Sequence, residues 1–277
     1  MAHPIIFVTG STDGIGKATA AALLSRGAEV IIHGRNAKKG QNVQRELKEM
    51  TGRESPDLLI ADLSDQNQVR QLAQDLLSHY TRLDVLINNA GTYEKERRVT
   101  AEGVEMTFAV NYLAPFLLTH SLLPWLKKSA PSRIVTVASI AHKDIHRIDW
   151  DNLQGEHTYD AWNVYALSKF ADITFTYTLA RNTEGTGVTA NCLHPGVVST
   201  KLLRSAFPKM PGIPSEQGAR TSVYLAVSPD VTGVSGQYFD NVRPVRSSAL
   251  TYDRPVQERL WKMAEDLTGI ISDYQIT

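Results

Sequence analysis

Short runs of β-branched and aliphatic residues alternate along this chain with longer stretches whose apolar residues recur at helical spacing. The predicted strands are Ile5 to Thr9, Ala28 to His33, Asp57 to Ala61, Val85 to Asn88, Arg133 to Ala138, Val188 to Leu193 and Gln237 to Phe239. The predicted helices are Ile15 to Arg26, Ala37 to Met50, Gln66 to Tyr80, Ala101 to Lys127, Tyr159 to Thr183, Ser215 to Ala226 and Val256 to Leu267. This alternation predicts an α/β fold, a doubly wound parallel sheet of about seven strands with helices on both faces.

The chain of 277 residues has no repeat, low-complexity segment or long flexible linker, so one domain over 1–277 is predicted, with a helical extension over 254–277. The least regular region is 199–214, where three prolines stand among apolar side chains. Such a segment is unsuited to a central helix or strand. It is either a lid over a lipophilic pocket or a loop packed on the body, and the sequence leaves both open.

Composition argues against several classes of partner. Lysine plus arginine and aspartate plus glutamate both number 29, which gives no basic excess for nucleic acid or an anionic membrane. The single cysteine, Cys192, excludes an intramolecular disulfide framework and a multi-cysteine metal site. We see no signal-peptide pattern and no run of about 18 uncharged apolar residues, so a cytoplasmic protein without a membrane span is expected.

A glycine-rich turn joins the first predicted strand to the first predicted helix. It consists of Thr9, Gly10, Ser11, Thr12, Asp13, Gly14, Ile15 and Gly16. Glycines permit a tight turn and let the backbone approach a pyrophosphate, whose charge a helix N-terminus stabilises. An ordinary strand-to-helix connection is the alternative, but the position of the turn favours a dinucleotide site.

The second predicted strand ends without an acidic residue. An acid there would bind the adenosine ribose of NAD, whereas a base accommodates the 2′-phosphate of NADP. This sequence has Arg35 followed by Asn36, with Lys38 nearby. Because guanidinium suits bidentate contact with phosphate, Arg35 is the predicted phosphate clamp, and NADP(H) is predicted over NAD(H).

Tyr165 and Lys169 lie four residues apart in the predicted helix 159–183 and therefore share one face. A nearby positive charge favours the phenolate form of a tyrosine, which suits the pair to proton transfer at neutral pH. A chance pair on a helix surface is the alternative. The catalytic interpretation is favoured over a chance pair only if other motifs in the sequence agree with it.

Several further motifs stand in a fixed order with these two. They are Asp62-Leu63, Asn88-Asn-Ala-Gly91, Asn111, Ser139 and the run from Pro195-Gly196 to Thr200. In this order, from Thr9 to about Asp240, the chain resembles the short-chain dehydrogenase/reductase family. It most resembles the retinol-dehydrogenase-like and WW-domain-oxidoreductase-like branch. The resemblance implies a Rossmann-type fold and a nicotinamide cofactor.

The resemblance also implies catalytic roles. Tyr165 would exchange a proton with the substrate oxygen, Ser139 would hydrogen-bond that oxygen, and Lys169 would support Tyr165 and hold the cofactor ribose. Asn111 resembles the residue that anchors a water leading to Lys169. A capping serine is the alternative for Ser139, and no Gly-x-Ser-x-Gly pattern of a hydrolase surrounds it.

The implied cofactor contacts extend beyond the glycine-rich turn. Asp62 and Leu63 would lie near the adenine, and Asn89, Ala90 and Gly91 beside the adenosine. The residues expected to border the nicotinamide are Pro195, Gly196, Val198 and Thr200. A simple turn or helix cap is the alternative for Asp62-Leu-Ser64, and a strand-terminating turn for Asn88-Asn-Ala-Gly91.

The function predicted from these features is NADP(H)-dependent hydride transfer involving a carbonyl or alcohol of a lipophilic small molecule. Two alternatives stay open, a nucleotide-sensing regulatory protein and a reductase or epimerase of another reaction type. No metal is predicted: His142 and His146 have the spacing of a ligand pair but lack helical periodicity, and one of them is expected to border the substrate entrance.

A homodimer or homotetramer is expected through the predicted helices 101–127 and 159–183. The side chains expected to add to that contact are Trp125, Trp162, Phe175 and Tyr177. An apolar stripe on the last helix is predicted to be core or subunit contact. Animal retinol dehydrogenases commonly carry an N-terminal membrane segment that this sequence lacks, so a retinoid substrate is not specifically expected.

Overall fold

An eight-stranded sheet forms the centre of the computed structural model, which describes residues 3–271. Its strands are β1 Ile5–Val8, β2 Glu29–Gly34, β3 Asp57–Ile60, β4 Val85–Asn88, β5 Ser132–Val137, β6 Val188–His194, β7 Tyr238–Asp240 and β8 Arg243–Val245. Their order is β3-β2-β1-β4-β5-β6-β7-β8. The direction in which successive strands are added reverses between β1 and β4, and open α/β sheets bind ligands at the carboxyl ends of strands beside such a point.

The seven predicted strands are confirmed, and all of them pair in parallel. The eighth strand corrects the expected number. β8 pairs antiparallel with β7 across a turn whose residues Asn241 and Val242 both have positive φ. Three exposed residues that include Pro244 give no alternating pattern, so the sequence alone does not signal this edge strand.

The helices cover both faces of the sheet and bury two apolar layers. They are α1 Gly14–Ser25, α2 Ala37–Thr51, α3 Gln66–His79, α4 Met106–Phe108, α5 Ala114–Lys128, α6 Ala161–Asn182, α7 Lys201–Ala206, α8 Ser215–Gly218, α9 Arg220–Val227 and α10 Arg254–Thr268. Along β1, Phe7 faces one layer while Ile6 and Val8 face the other, as strand alternation requires. The predicted helix 215–226 is divided into α8 and α9.

The predicted helix 101–127 begins later than expected, at Met106, and is interrupted by a π-helical turn over Ala109–Leu113. In this turn the Ala114 N–H donates to the Ala109 carbonyl, five residues back. Pro115 follows directly and has no N–H to continue a regular α-helical ladder. Asn111 therefore lies in the widened turn.

The last described helix, α10, covers the outer face of α5 and α6. The Trp261 ring lies 5.1 Å from Phe116 and 5.8 Å from Phe175, measured between ring centroids, and Tyr112 Oη donates to the Leu260 carbonyl. The apolar stripe of this helix is thus core. Residues 272–277 of the predicted extension lie outside the described part of the chain.

This packing corrects the expected subunit contact. Trp125, Phe175 and Tyr177 are buried within their own chain and are not presented to a second copy. Trp162 is half-buried beside Tyr165. The oligomeric state itself stays a prediction.

Within residues 3–271, one helical stretch, Met106–Lys128, is long and apolar enough to cross a membrane by length and composition alone. The absence of a membrane span stays a prediction from the sequence. Within the fold, 78% of the apolar window of this stretch is buried inside the protein, against α3, α6 and α10. Its apolar character is accounted for by this packing.

Candidate active site

The glycine-rich turn and the loop after β4 form one interlocked unit. Thr9 Oγ1 accepts hydrogen bonds from the backbone N–H groups of Asn89 and Ala90 at 2.9 and 3.0 Å. Asn89 Nδ2 donates to the Thr9 carbonyl at 2.8 Å. A Cβ atom on Gly16 would lie 2.4 Å from that Nδ2 atom, so only glycine permits this approach. The loop 88–91 thus stabilises the glycine-rich turn through hydrogen bonds to Thr9.

Gly10 supplies a test of this interlock. Its φ is +64°, and a Cβ there would lie 2.8 Å from Ala90 Cα, whereas Gly52, with φ of +63°, has nothing within 4 Å. Gly52→Ala is expected to cost only the left-handed penalty of about 1 kcal/mol. Gly10→Ala must also displace the Ala90 backbone, so we expect its loss of unfolding free energy to exceed that of Gly52→Ala by at least ~2 kcal/mol. Urea unfolding measures both; equal losses would contradict the interlock.

His33, at the end of β2, is a structural residue that the sequence reading missed. Its Nδ1 accepts from the Gly10 N–H at 3.1 Å, and its Nε2–H donates to the Ala61 carbonyl at 3.1 Å. Burial lowers the pKa of His33 to about 4, so the ring is neutral and its tautomer is set by these bonds. His33 thereby ties the glycine-rich turn to the ends of β2 and β3. In the sequence, the apolar residues around His33 predict only that it belongs to a strand, and nothing there indicates its hydrogen-bonding role.

The residues predicted for the adenosine end lie around the N-terminus of α2. Arg35 is exposed, and the side chain of Asn36 caps α2 by accepting from the Lys39 N–H at 2.9 Å. Asp62 Oδ1 accepts from both the N–H and the hydroxyl of Ser64, which makes a tight turn before α3, while Leu63 is buried. The helix cap proper is Asp65. The turn alternative for Asp62 is therefore present in the fold, and an adenine contact stays a prediction.

Asp13 carries the N-cap of α1, where its Oδ1 accepts from the Gly14 N–H. Its Oδ2 lies 2.7 Å from Lys39 Nζ and 2.9 Å from Lys201 Nζ. Partial burial acts to raise the pKa of Asp13, but the hydrogen bonds from the two lysines outweigh it and hold that pKa well below its usual range. The predicted pyrophosphate turn thus contains a carboxylate whose charged form the two lysines favour.

Ser139 follows the last residue of β5 by two positions and has extended backbone. It caps the 3-10 turn Ile140–Asp144 by accepting from the Ala141 N–H at 3.2 Å, as the capping alternative supposed. Because this bond uses an oxygen lone pair, the hydroxyl proton is still available to a substrate oxygen. Capping and the predicted catalytic role are compatible.

His142, in the same turn, does not border an entrance. It is fully buried, its Nδ1–H donates to the Ser139 carbonyl at 2.7 Å, and its Nε2 accepts from the Ser248 N–H at 3.1 Å. Both ring nitrogens are engaged, so His142 cannot act as a metal ligand in this arrangement. His146 lines a surface cavity of about 600 Å³ together with Leu250 and Tyr252, and neither Ser139 nor Tyr165 lines that cavity.

Lys169 joins α6 to the end of β5. Its Nζ donates to the Val137 carbonyl and to Asp172 Oδ2, both at 2.9 Å. Val137 precedes Ser139 by two residues, and α6 packs against the turn that Ser139 caps. A Cβ on Gly91 would lie 3.8 Å from Lys169 Nζ. The ammonium group therefore lies at the meeting point of α6, β5 and the loop 88–91.

Tyr165 lies one helical turn before Lys169 on the same face of α6 and is 9% exposed. Its ring contacts Tyr93 at 5.7 Å and Trp162 at 5.8 Å between centroids. Trp162 in turn contacts Phe207 at 5.2 Å. Aromatic side chains thus connect Tyr165 to the segment 199–214.

Asn111 braces the loop after β4 against α6. Its Oδ1 accepts from the Thr92 N–H at 2.7 Å, and its Nδ2 donates to the Thr92 carbonyl and to Ser168 Oγ. These bonds use both amide hydrogens of the side chain. The water-anchoring role that the resemblance implies stays a prediction.

Asp172 is the second residue that the sequence reading missed. It is 1% exposed, and its Oδ1 has no hydrogen-bond partner among residues 3–271. Burial raises the pKa of Asp172 to about 6, and the charge of Lys169 offsets only part of that effect. Its position three residues after Lys169 was the available signal, but an acid at that spacing on a helix is common.

The raised pKa of Asp172 predicts a pH dependence of stability. In the unfolded chain an aspartate has a pKa near ~3.9. Between that value and about 6 the folded protein binds a proton that the unfolded chain does not, so this contribution is present at low pH and is lost as the pH rises through 6. The unfolding free energy of the wild type relative to Asp172→Asn should fall by up to ~1.4 kcal/mol per pH unit in this window.

Urea unfolding at pH 4.5, 5.5 and 6.5 checks this slope. The exposed Asp230 provides a control, since Asp230→Asn should show no such trend. A constant difference between wild type and Asp172→Asn across the window would show that Asp172 does not take up a proton there.

The segment 199–214 packs on both ends of the site. It contains α7, whose N-cap is Thr200. Thr200 lies close to the glycine-rich turn, because a Cβ on Gly14 would be 3.1 Å from Thr200 Cγ2. Val198 bridges to Ile213, and a Cβ on Gly196, whose φ is +89°, would lie 2.8 Å from Ile213 Cδ1. Pro195 links this segment to β6. The segment is thus a short helix and a bridge that pack on the body, and not a structureless loop.

These features fit an extended dinucleotide. The turn 9–16, called the glycine cradle below, leads into the N-terminus of α1, where backbone N–H groups have no intrahelical partner. Its glycines let this backbone pack closely against the loop 88–91 and Thr200. Arg35 and Asn36 follow Gly34, which lies close to Thr12 of this turn. Lys169 lies near Gly91 of the loop 88–91 and bonds to Val137, two residues before Ser139.

Comparison with known proteins agrees with this arrangement. The family described as short chain dehydrogenase matches residues 4–211. Human retinol dehydrogenase 11 is 41% identical over 281 residues, which cover 97% of this chain and 87% of that protein. A solved structure from Mycobacterium paratuberculosis has a TM-score of 0.79 at 30% identity, covering 97% of this chain and 94% of that one.

A second structure, from Escherichia coli CFT073, was solved in complex with NADPH. It has a TM-score of 0.72 and 31% identity, covering 87% of this chain and 97% of that one. The family match includes the glycine-rich turn, β1 to β6 and α6, and the comparisons together confirm the resemblance expected from the ordered motifs. The chain belongs to the short-chain dehydrogenase family, and within that family it is similar to the retinol dehydrogenases.

Proposed function

We propose that this protein is an NADP(H)-dependent oxidoreductase that interconverts a carbonyl and an alcohol group on a lipophilic small molecule. The observation that carries the proposal is the position of Lys169. Its ammonium is buried between the Val137 carbonyl and Asp172, one helical turn from Tyr165 and next to the strand end that bears Ser139.

The residues of the chain would divide the chemistry as follows. A bound nicotinamide cofactor supplies or accepts the hydride. Tyr165 gives its phenol proton to the substrate oxygen in reduction and takes that proton back in oxidation. The free hydroxyl proton of Ser139 stabilises charge on the same oxygen, and Lys169 binds ribose hydroxyls one helical turn from Tyr165.

The preference for NADP(H) is supported by Arg35, which follows β2 where an acid would select NAD. The Escherichia coli neighbour was solved with NADPH, which agrees with that choice. The lipophilic substrate is supported by the aromatic side chains that surround Tyr165, together with exposed Met210 and Ile213 on the segment 199–214. A cytoplasmic location and a homo-oligomeric state stay predictions from the sequence.

A panel of ketones, aldehydes and secondary alcohols of graded size, assayed by NADPH absorbance, tests the proposal. Cofactor carrying deuterium at the transferable position should place the label on the carbinol carbon of the product. Label on a saturated ring carbon would favour reduction of a double bond. Tight NADPH binding without turnover of any member of the panel would favour the nucleotide-sensing alternative.

A further inference from the structure

The carboxylate of Asp13 lies in the corner of the site where a 2′-phosphate is expected. Lys39 is in the first turn of α2, four residues after Arg35, and its Nζ is 2.7 Å from Asp13 Oδ2. The backbone brings these residues together: Thr12 precedes Asp13, Gly34 precedes Arg35, and a Cβ on Gly34 would lie 2.5 Å from Thr12 Cγ2. A larger residue at position 34 would require the Thr12 side chain to shift.

Lys39 therefore has two competing anions. It is already paired with Asp13, and a phosphate held by Arg35 would attract the same ammonium group. The side chains of Lys39 and Asp13 are 41% and 48% exposed, so their pairing contributes little to stability and can be exchanged. Partial burial acts to raise the pKa of Asp13, but the two lysines hold that pKa well below its usual range and so favour the charged carboxylate.

NADP and NAD differ at this corner by the phosphate alone. A group that repels phosphate or withholds a cation from it weakens the binding of NADP and leaves NAD almost unaffected. The second lysine on Asp13, Lys201, comes from the segment 199–214 and is not part of α2.

We propose that Asp13 is a specificity residue, which occupies Lys39 and thereby limits the preference for NADP over NAD that Arg35 establishes. The inference rests on the proposed dinucleotide function. It predicts that the chain uses NADP less selectively than the Arg35 position alone would suggest.

Titration of tryptophan fluorescence with NADPH and with NADH tests the proposal without any substrate. Asp13→Asn keeps a side-chain oxygen to cap α1 and removes the charge. We expect this variant to raise the ratio of NADPH to NADH affinity about tenfold. The matched control is Glu46→Gln, which removes an exposed carboxylate that pairs α2 with Lys17 of α1; it should change the ratio less than twofold.

Lys39→Met distinguishes two effects of Asp13: pairing with Lys39, which keeps that lysine from the phosphate, and direct repulsion of the phosphate. In the wild type, where Lys39 is already paired, this change should alter the ratio less than about threefold. In the Asp13→Asn background it should abolish most of the gain, so the two substitutions should be strongly non-additive. The gain should also shrink as salt rises from about 0.05 to 0.5 M, because these charges are exposed.

Three results would overturn the inference: an unchanged ratio in Asp13→Asn, an equal gain in Glu46→Gln, or a gain that survives Lys39→Met. Each leaves the proposed function intact provided that both nucleotides bind. If neither NADPH nor NADH changes the fluorescence or the melting temperature of the wild type, the proposed function fails together with this inference.

Discussion

Tyr165→Phe is expected to lower turnover by at least ~100-fold on the best substrate found in the carbonyl panel. The change removes the phenol proton that Tyr165 gives to the substrate oxygen in the proposed reaction. The ring keeps its contacts with Tyr93 and Trp162. Because the glycine cradle and Lys169 are untouched, NADPH affinity should stay within about twofold.

The matched control is Tyr93→Phe. Its ring contacts Tyr165 edge to face at 5.7 Å, and burial raises the pKa of its own hydroxyl, so it is a poorer proton donor in the same neighbourhood. We expect less than a fivefold loss of turnover from this variant. A loss below about tenfold in Tyr165→Phe would show that another acid supplies the proton, and a matching loss in both variants would point to packing instead.

Arg35→Asp is expected to reverse the cofactor preference. The exposed guanidinium is replaced by a carboxylate that repels the 2′-phosphate of NADP and can accept a hydrogen bond from the ribose hydroxyl of NAD. In the wild type, NADPH should raise the melting temperature more than NADH at equal concentration. In the variant the order should invert, with an overall change in the affinity ratio of about 100-fold or more.

Arg45→Asp on α2 is the control for this reversal. It makes the same change of charge on the helix that follows Arg35, at a residue whose only described side-chain hydrogen bond is with Asn42, so the preference should be retained. Equal responses of Arg35→Asp to the two nucleotides would remove Arg35 from the proposed role. This test can be told apart from that of Asp13, since Arg35→Asp and Asp13→Asn should move the ratio in opposite directions.

The parallel sheet was predictable because its signals are local. β1, β4, β5 and β6 are short apolar runs between helical patterns, which is how strands buried on both faces read in sequence. The edge strand β8 was not predictable, since its three exposed residues become a strand only by pairing with β7. The π-helical turn likewise depends on how the chain before Pro115 fits between the loop 88–92 and α6.

The candidate site divides in the same way. Tyr165 and Lys169 were predicted from helical spacing, and Ser139 and Asn111 from the family resemblance. His33 and Asp172 were missed, because a histidine in a strand and an aspartate in a helix look ordinary until their partners are known. Those partners are Gly10 and Ala61 for His33, and Lys169 for Asp172.

Residue order alone specified the alternating strands and helices, the glycine cradle and the pairing of a phenol with an ammonium on one helix face, because hydrophobic period and glycine conformation act over a few neighbouring residues. Contacts across the chain had to be read from the folded molecule. Lys39 reaches Asp13 across 26 residues, Lys169 reaches Val137 across 32, and α10 closes over α5 and α6. Such contacts form when distant elements pack together, and it is these that set the charge around the proposed phosphate corner and the proposed catalytic lysine.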